Sequence, residues 1–383
     1  MKFAEIPGDK ALIASLIQAA KSGQVAHAQL FAGPEGGVAL MLALAFAQYL
    51  NCENPSESDS CGVCQSCSMT SKFIHPDLHF CFPWAKSKAL GEKVDDVKSF
   101  LPLFRNFILE RPYGRISEWA AAAEFENRTP IINIKTVRDM MMDLQLKAYL
   151  GRYKIQIIWL PETMRTEGSN AFLKILEEPP PYTLFFLVCQ DTELLLPTLI
   201  SRTQRITIPN LDDSGLAAYL MDKFDVEETK AKAIAALSEG NLAEARLFLD
   251  EKENDYHTLF LEWQRACYGY DFLKILSHTD EFVELGKELQ KGFLRFSLGR
   301  IRHAMALANG ADVSVHLPEN ERTDLQKLGK ILSLSLVETE LEEMEKAYFH
   351  IDRNASGRMV FLDLSLILAS RFSEARRPKP ATT

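Results

Sequence analysis

The sequence predicts an α/β protein: a parallel sheet covered by helices on both faces, followed by an all-helical C-terminal region. Apolar strands alternate with helical segments from Ala28 to Ile208, the pattern of a doubly covered parallel sheet. A glycine-rich turn, Gly33 to Gly37, joins the first strand to an apolar helix, the outline of a phosphate-binding loop. After Pro209 strand character fades and amphipathic helical spacing takes over.

Residues 9 to 22 place Leu12, Ile13, Leu16, Ile17 and Ala20 at helical spacing, and Gly23 closes that helix. A strand follows at Ala28 to Ala32. The helix from Met41 to Leu50 is apolar nearly all round, which predicts burial. Residues 76 to 130 mix Pro, Gly, charge and aromatics, and read as an insertion with some helix, such as Asp95 to Leu109. Order returns at Ile131, with a helix from about Thr136 to Tyr149. The strand Ile155 to Leu160 is next. A helix from Glu167 to Glu177 is stopped by Pro179, Pro180 and Pro181. Thr183 to Val188 is a continuous apolar run, as a strand covered on both faces requires. Arg205 to Ile208 is the last strand. Short helices are expected from Asp213 or Ser214, Glu227 and Asn241, with Gly240 as a stop. From about 253 to 371 the chain is helical, with Phe361, Leu364 and Leu368 on one face, and Arg376 to Pro380 reads as a frayed tail.

The 383 residues suffice for two or three domains, and 47% hydrophobic and 25% charged residues are ordinary for a soluble globular protein. No apolar run reaches the length of a membrane span, and the N-terminus lacks a signal-peptide core, so a cytoplasmic location is expected. The net charge of -9 argues against a free-standing nucleic-acid binder.

Four of the seven cysteines, Cys52, Cys61, Cys64 and Cys67, lie within sixteen residues. In a reducing compartment this clustering favours metal over disulfides. Four thiolates with no open position make a structural zinc site. His75, His79 and Cys81 lie nearby as less well-spaced substitutes. The knuckle has loop-forming residues and no core of its own, so metal binding would supply its folding energy.

The glycine-rich loop lacks the chemistry of its outline. The motif needs Gly, then Lys, then Ser or Thr where Val38, Ala39 and Leu40 stand. No ammonium reaches a β/γ-phosphate and no hydroxyl meets magnesium. Glu162 is the acidic residue available after the strand at Ile155, and it reads as a loop cap.

His27-Ala28 before the loop, the four-cysteine knuckle, Leu176-Glu177-Glu178-Pro179-Pro180 and Ser201-Arg202 together resemble the bacterial clamp-loader subunits of DNA polymerase III, which are AAA+ proteins. Ile6-Pro7-Gly8 is similar to the family's N-terminal box. The resemblance covers residues 1 to about 250 except 83 to 130. It implies an AAA+ nucleotide-fold domain over 1–209, with the zinc knuckle at 52–67 and an insertion at about 83–130. A helical lid at 210–252 and a helical collar, or oligomerisation, domain at 253–383 would follow. Ala243 stands where the motor subunits, gamma and tau, carry a second sensor arginine. With Gly33, Gly36, Gly37, Ala39 and Leu40 forming a loop without its lysine, the chain resembles the delta-prime branch, which binds no ATP productively. That resemblance implies that Arg202, beside Ser201, acts as an arginine finger in a neighbouring subunit's ATP site. Thr203 replaces the family's usual cysteine and supplies no charge. The implied cofactor is structural zinc. The implied partners are gamma/tau and delta, with the sliding clamp and primed DNA reached through the complex, and no membrane. The chain would not be an enzyme by itself but part of the polymerase holoenzyme.

Two other readings stand beside this one: a gamma/tau-like ATP-hydrolysing motor with an atypical loop, and a free-standing zinc-dependent nucleic-acid-binding module. The insertion reads as a surface elaboration, or as a partner-binding patch built on Trp84, Phe104 and Trp119.

Overall fold

The computed structural model describes residues 1–376 apart from 92, 93, 95, 126, 127, 146, 251–255, 311–318 and 354. The expected tail beyond Arg376 and the expected helix start at Asp95 lie outside the described residues. The elements are α1 (Lys10–Ser22), β1 (Ala28–Ala32), α2 (Ala39–Leu50), α3 (Gln65–Thr70), β2 (Leu78–Cys81), α4 (Leu101–Glu110), α5 (Ile116–Ala122) and α6 (Ile134–Leu144). Then come β3 (Lys154–Trp159), α7 (Thr166–Glu177), β4 (Thr183–Cys189), α8 (Pro197–Ile200) and β5 (Gln204–Thr207). The rest is helical: α9 (Asp213–Phe224), α10 (Glu228–Leu237), α11 (Leu242–Asp250), α12 (Tyr256–Gly269), α13 (Phe272–Glu284), α14 (Lys287–Ala308), α15 (Glu319–Ile331), α16 (Leu334–Asp352) and α17 (Gly357–Arg376).

The chain forms two compact units, Met1–Tyr219 with Glu239–Ala243, and Leu220–Ser238 with Glu244 onward. The first contains the expected parallel sheet, five strands in the order β2-β3-β4-β1-β5. Side chains alternate across it, as the strand period demands. Phe186 meets both Phe31 of β1, at 5.3 Å, and Phe46 of α2, on which it stacks at 5.5 Å. Leu30, Phe185 and Leu187 join Phe172 and Leu176 of α7 in one core. Every residue of β1, β3, β4 and α2 is buried. Helix α1 is bounded as its sequence suggests, with the Asp9 carboxylate accepting from the Ala11 amide at 2.7 Å and Gly23 left-handed at φ 70°.

Strand β2 falls inside the stretch that the sequence left as an insertion. It pairs with β3 from Leu78↔Ile155 to Cys81↔Ile158 and forms one edge of the sheet. Just before it, Asp77 accepts the amides of Tyr149, Leu150 and Gly151 at 2.6–2.7 Å, which ties β2 to the turn that leads into β3.

The partner-patch reading of 83–130 is overturned. Phe104 and Trp119 are fully buried and Trp84 is 7% exposed. Phe104 stacks on Phe82 at 3.9 Å and packs against Trp159 of β3, while Trp119 meets Phe104 and Phe125. The indole N–H of Trp119 donates to the Pro83 carbonyl at 2.8 Å, and that of Trp84 to Thr136 Oγ1 at 2.8 Å. These rings extend the core beside β2 and β3, because an aromatic cluster of this size is stable only out of water.

The second unit is helical and has its own core, in which Phe282 stacks on Phe361 at 4.1 Å and Trp263 packs against Phe361. Glu340 is buried there and accepts from Gln264 Nε2 at 3.3 Å. Burial pushes its carboxyl up to about 8.

Candidate functional site

The loop after β1 is held at both ends. The Gly33 amide donates to the Cys189 carbonyl at 3.1 Å and the Gly37 amide to the Pro34 carbonyl at 3.1 Å. Gly36 is left-handed at φ 74°, and a Cβ there would lie 2.6 Å from Ala243 Cβ and 2.6 Å from Asn241 Oδ1. That close approach requires glycine. Asn241 Nδ2 donates to the Glu35 carbonyl at 2.5 Å, and the Ala243 amide to the Gly36 carbonyl at 3.2 Å. The segment Asn241–Ala243 thus closes over the loop. Ala39 and Leu40 open α2 and are buried at 5% and 8% exposure. Neither can offer a charge or a hydroxyl. Ile6 and Pro7 line a cavity of about 200 Å³ with Val38, Leu42, Ile208 and Pro209.

Glu162 follows β3 and faces the end of β4. Its Oε1 accepts the amides of Gln190 at 2.8 Å and Asp191 at 3.4 Å. Burial raises its carboxyl above the usual range, and these bonds offset part of the rise. It acts as the loop cap that the sequence suggested.

His27 and the Leu176–Pro180 motif meet: His27 Nε2 lies 3.0 Å from the Leu176 carbonyl. Glu177, the last residue of α7, pairs with Arg202, Oε1 to Nη2 at 2.7 Å. Arg202 Nη1 donates to the Thr198 carbonyl of α8 at 3.0 Å. Ser201 and Thr203 bond back to Thr198 and Ile200 at 3.1 and 3.0 Å. Arg202 is 38% exposed and stands just before β5, the other edge strand. Sequence reasoning marked Arg202 but missed Glu177 as its partner. The 25-residue separation carries no signal of contact.

The four cysteines converge, their sulfurs all within 4.8 Å of one another. Cys61 and Cys67 sulfurs are 3.9 Å apart. Zinc–sulfur bonds of about 2.3 Å in a tetrahedron set sulfurs about 3.8 Å apart, so the donor set fits zinc. The Cys61 amide points at Cys52 Sγ at 3.3 Å, that of Cys64 at Cys61 Sγ at 3.3 Å and that of Cys67 at Cys64 Sγ at 3.4 Å, which favours thiolates. Backbone N–H groups of Val63 and Cys64 lower the Cys61 thiol to about 6. His75 does not join the set. Its Nε2 meets Ser66 Oγ at 3.1 Å and its Nδ1 accepts the Asp77 amide at 3.1 Å. His79 and Cys81 lie in β2, away from the cluster. The knuckle is tied to the N-terminus through Asp59, which accepts the amides of Phe3 and Ala4 at 3.1 and 3.0 Å.

Comparison with known proteins matches residues 8–212 to the family described as DNA polymerase III, delta subunit. The DNA polymerase III subunit tau/gamma of Haemophilus influenzae is 23% identical over 254 residues, covering 65% of this chain and 30% of that protein. The subunit delta' of Pseudomonas aeruginosa is 27% identical over 219 residues, covering 57% of this chain and 54% of that one. The chain spans less than two thirds of the length of either relative. A solved DNA polymerase III gamma subunit-related protein from Thermotoga maritima aligns over 94% of this chain and 99% of its own, at 14% identity and a TM-score of 0.40. No helix among the described residues is long and apolar enough to cross a membrane.

Proposed function

The chain belongs to the DNA polymerase III delta subunit family, and from that premise we propose that it is a delta-prime-type clamp-loader subunit. It hydrolyses no ATP itself. Arg202 enters the nucleotide site of a neighbouring gamma/tau motor subunit, and the complex, with delta, places the sliding clamp on primed DNA. The chain works in the cytoplasm, and zinc on Cys52, Cys61, Cys64 and Cys67 is structural.

The observation that carries this reading is the contrast between two places in one domain. The chain's own loop has buried Ala39 and Leu40 where the reactive groups would stand, and Asn241 and Ala243 close over Gly36. Arg202, by contrast, is exposed and anchored beside an edge strand. A guanidinium is planar and permanently charged, and suits the three equatorial oxygens of a transferring γ-phosphoryl group. It needs no further reactive group from this chain, because the neighbour supplies nucleotide, metal and water.

The test is co-purification with the motor and delta subunits, together with ATP binding measured on this chain alone. A stable complex and no binding at micromolar ATP are expected. Failure to assemble contradicts the reading. The likeness to a tau/gamma subunit supports a second one, a motor with an atypical loop. Micromolar ATP affinity abolished by substitutions between Gly33 and Leu40 would favour it.

A further inference from the structure

We propose that Glu177 is the positioning residue for Arg202: its carboxylate holds the guanidinium against the end of α8, so that the arginine presents one face to a phosphate on a neighbouring subunit. The proposal rests on the reading of Arg202 as a group that acts in trans.

Two anchors on different elements set the guanidinium. Glu177 of α7 takes Nη2 at 2.7 Å, and the Thr198 carbonyl of α8 takes Nη1 at 3.0 Å. One contact would fix a distance, whereas two fix the plane. The guanidinium has five N–H donors, and these bonds use two of them. The Nε–H and one hydrogen on each terminal nitrogen remain for an anion, which is enough for the paired contact that arginine makes with phosphate.

Local physics does not favour a carboxylate at this position. Glu177 is the last residue of α7, where the helix presents its negative end. A side chain that breaks a local rule gains from something beyond its own helix, and here the gain is Arg202. The pair contributes little to folding, since Glu177 is 53% and Arg202 38% exposed and solvent screens such pairs. Its removal therefore leaves the domain intact, and a loss of function cannot be ascribed to unfolding.

The experiment uses the assembled complex and compares the wild type with Glu177→Ala, Glu177→Gln, Arg202→Ala and the double Ala variant. DNA-stimulated ATP hydrolysis is resolved into kcat and KM, with assembly and zinc content as controls. Glu177→Ala should lower kcat about two- to fivefold with KM little changed, the range that an exposed ion pair supports. Glu177→Gln, which keeps an acceptor oxygen, should recover part of that loss. On the Arg202→Ala background, Glu177→Ala should have no further effect. If Arg202→Ala lowers hydrolysis while Glu177→Ala leaves or raises it, the positioning role is wrong and the in-trans arginine stands. If Arg202→Ala changes nothing, the functional reading falls and this proposal with it.

Discussion

Asp77 shows how much one side chain can organise. Burial alone would raise its carboxyl, but the amides of Gly151, Tyr149 and Leu150 outweigh that and hold it below the usual range. Asp77→Ala strands three backbone donors and should cost about 2–3 kcal/mol, read as a lower denaturant midpoint. A loss under about 0.5 kcal/mol would show that water replaces the carboxylate. Nothing in the sequence marked Asp77, because its partners lie more than seventy residues away. The cysteines were legible for the opposite reason: metal-ligand spacing is local. Cys61→Ser and Cys67→Ser should each reduce zinc from about one ion per chain, as atomic absorption would show. Full zinc retention in both variants would refute the four-sulfur site. Trp84, Phe104 and Trp119 show what a sequence withholds. It displays large aromatics without showing the β2–β3 edge that covers them.

Among the elements, β4 is legible because a strand covered on both faces is a largely continuous apolar run, and β1 and β3 as short, mostly apolar stretches interrupted by Gln29 and Gln156. Strand β2 was not, since four residues containing His79 carry too little pattern beside Pro76. The loop and α2 are legible as an apolar helix after a glycine turn. Their closure by Asn241 and Ala243 was invisible across 200 residues of chain. This closure has a consequence for repair. Ala39→Lys with Leu40→Thr supplies the missing ammonium and hydroxyl, yet both positions are buried and the loop is covered. The double variant should gain no micromolar ATP binding by calorimetry and should lose stability, because a lysine would be buried without a partner. Tight ATP binding would mean that the covering segment yields easily.

At the scale of the whole molecule, the two units should answer to different conditions. Glu340, in the helical unit, keeps its proton to about pH 8 when folded and titrates near 4.3 when unfolded. The contribution is fully present below about pH 4.3, declines as pH rises between these values, and levels off above about 8. Glu340→Gln should remove a few kcal/mol of that decline, seen as a melting transition less sensitive to pH between about 4.3 and 8. An unchanged pH profile would place Glu340 in contact with water. Chelation should instead lower the transition of the sheet unit, which holds the four cysteines.

The central claim is that this chain's chemistry lies in another subunit's nucleotide site. It is tested most directly by assembling the complex with Arg202→Ala and measuring DNA-stimulated ATP hydrolysis. The account predicts normal assembly, normal zinc and the loss of hydrolysis at the site that Arg202 faces. Unchanged hydrolysis and clamp loading in a fully assembled complex would contradict it.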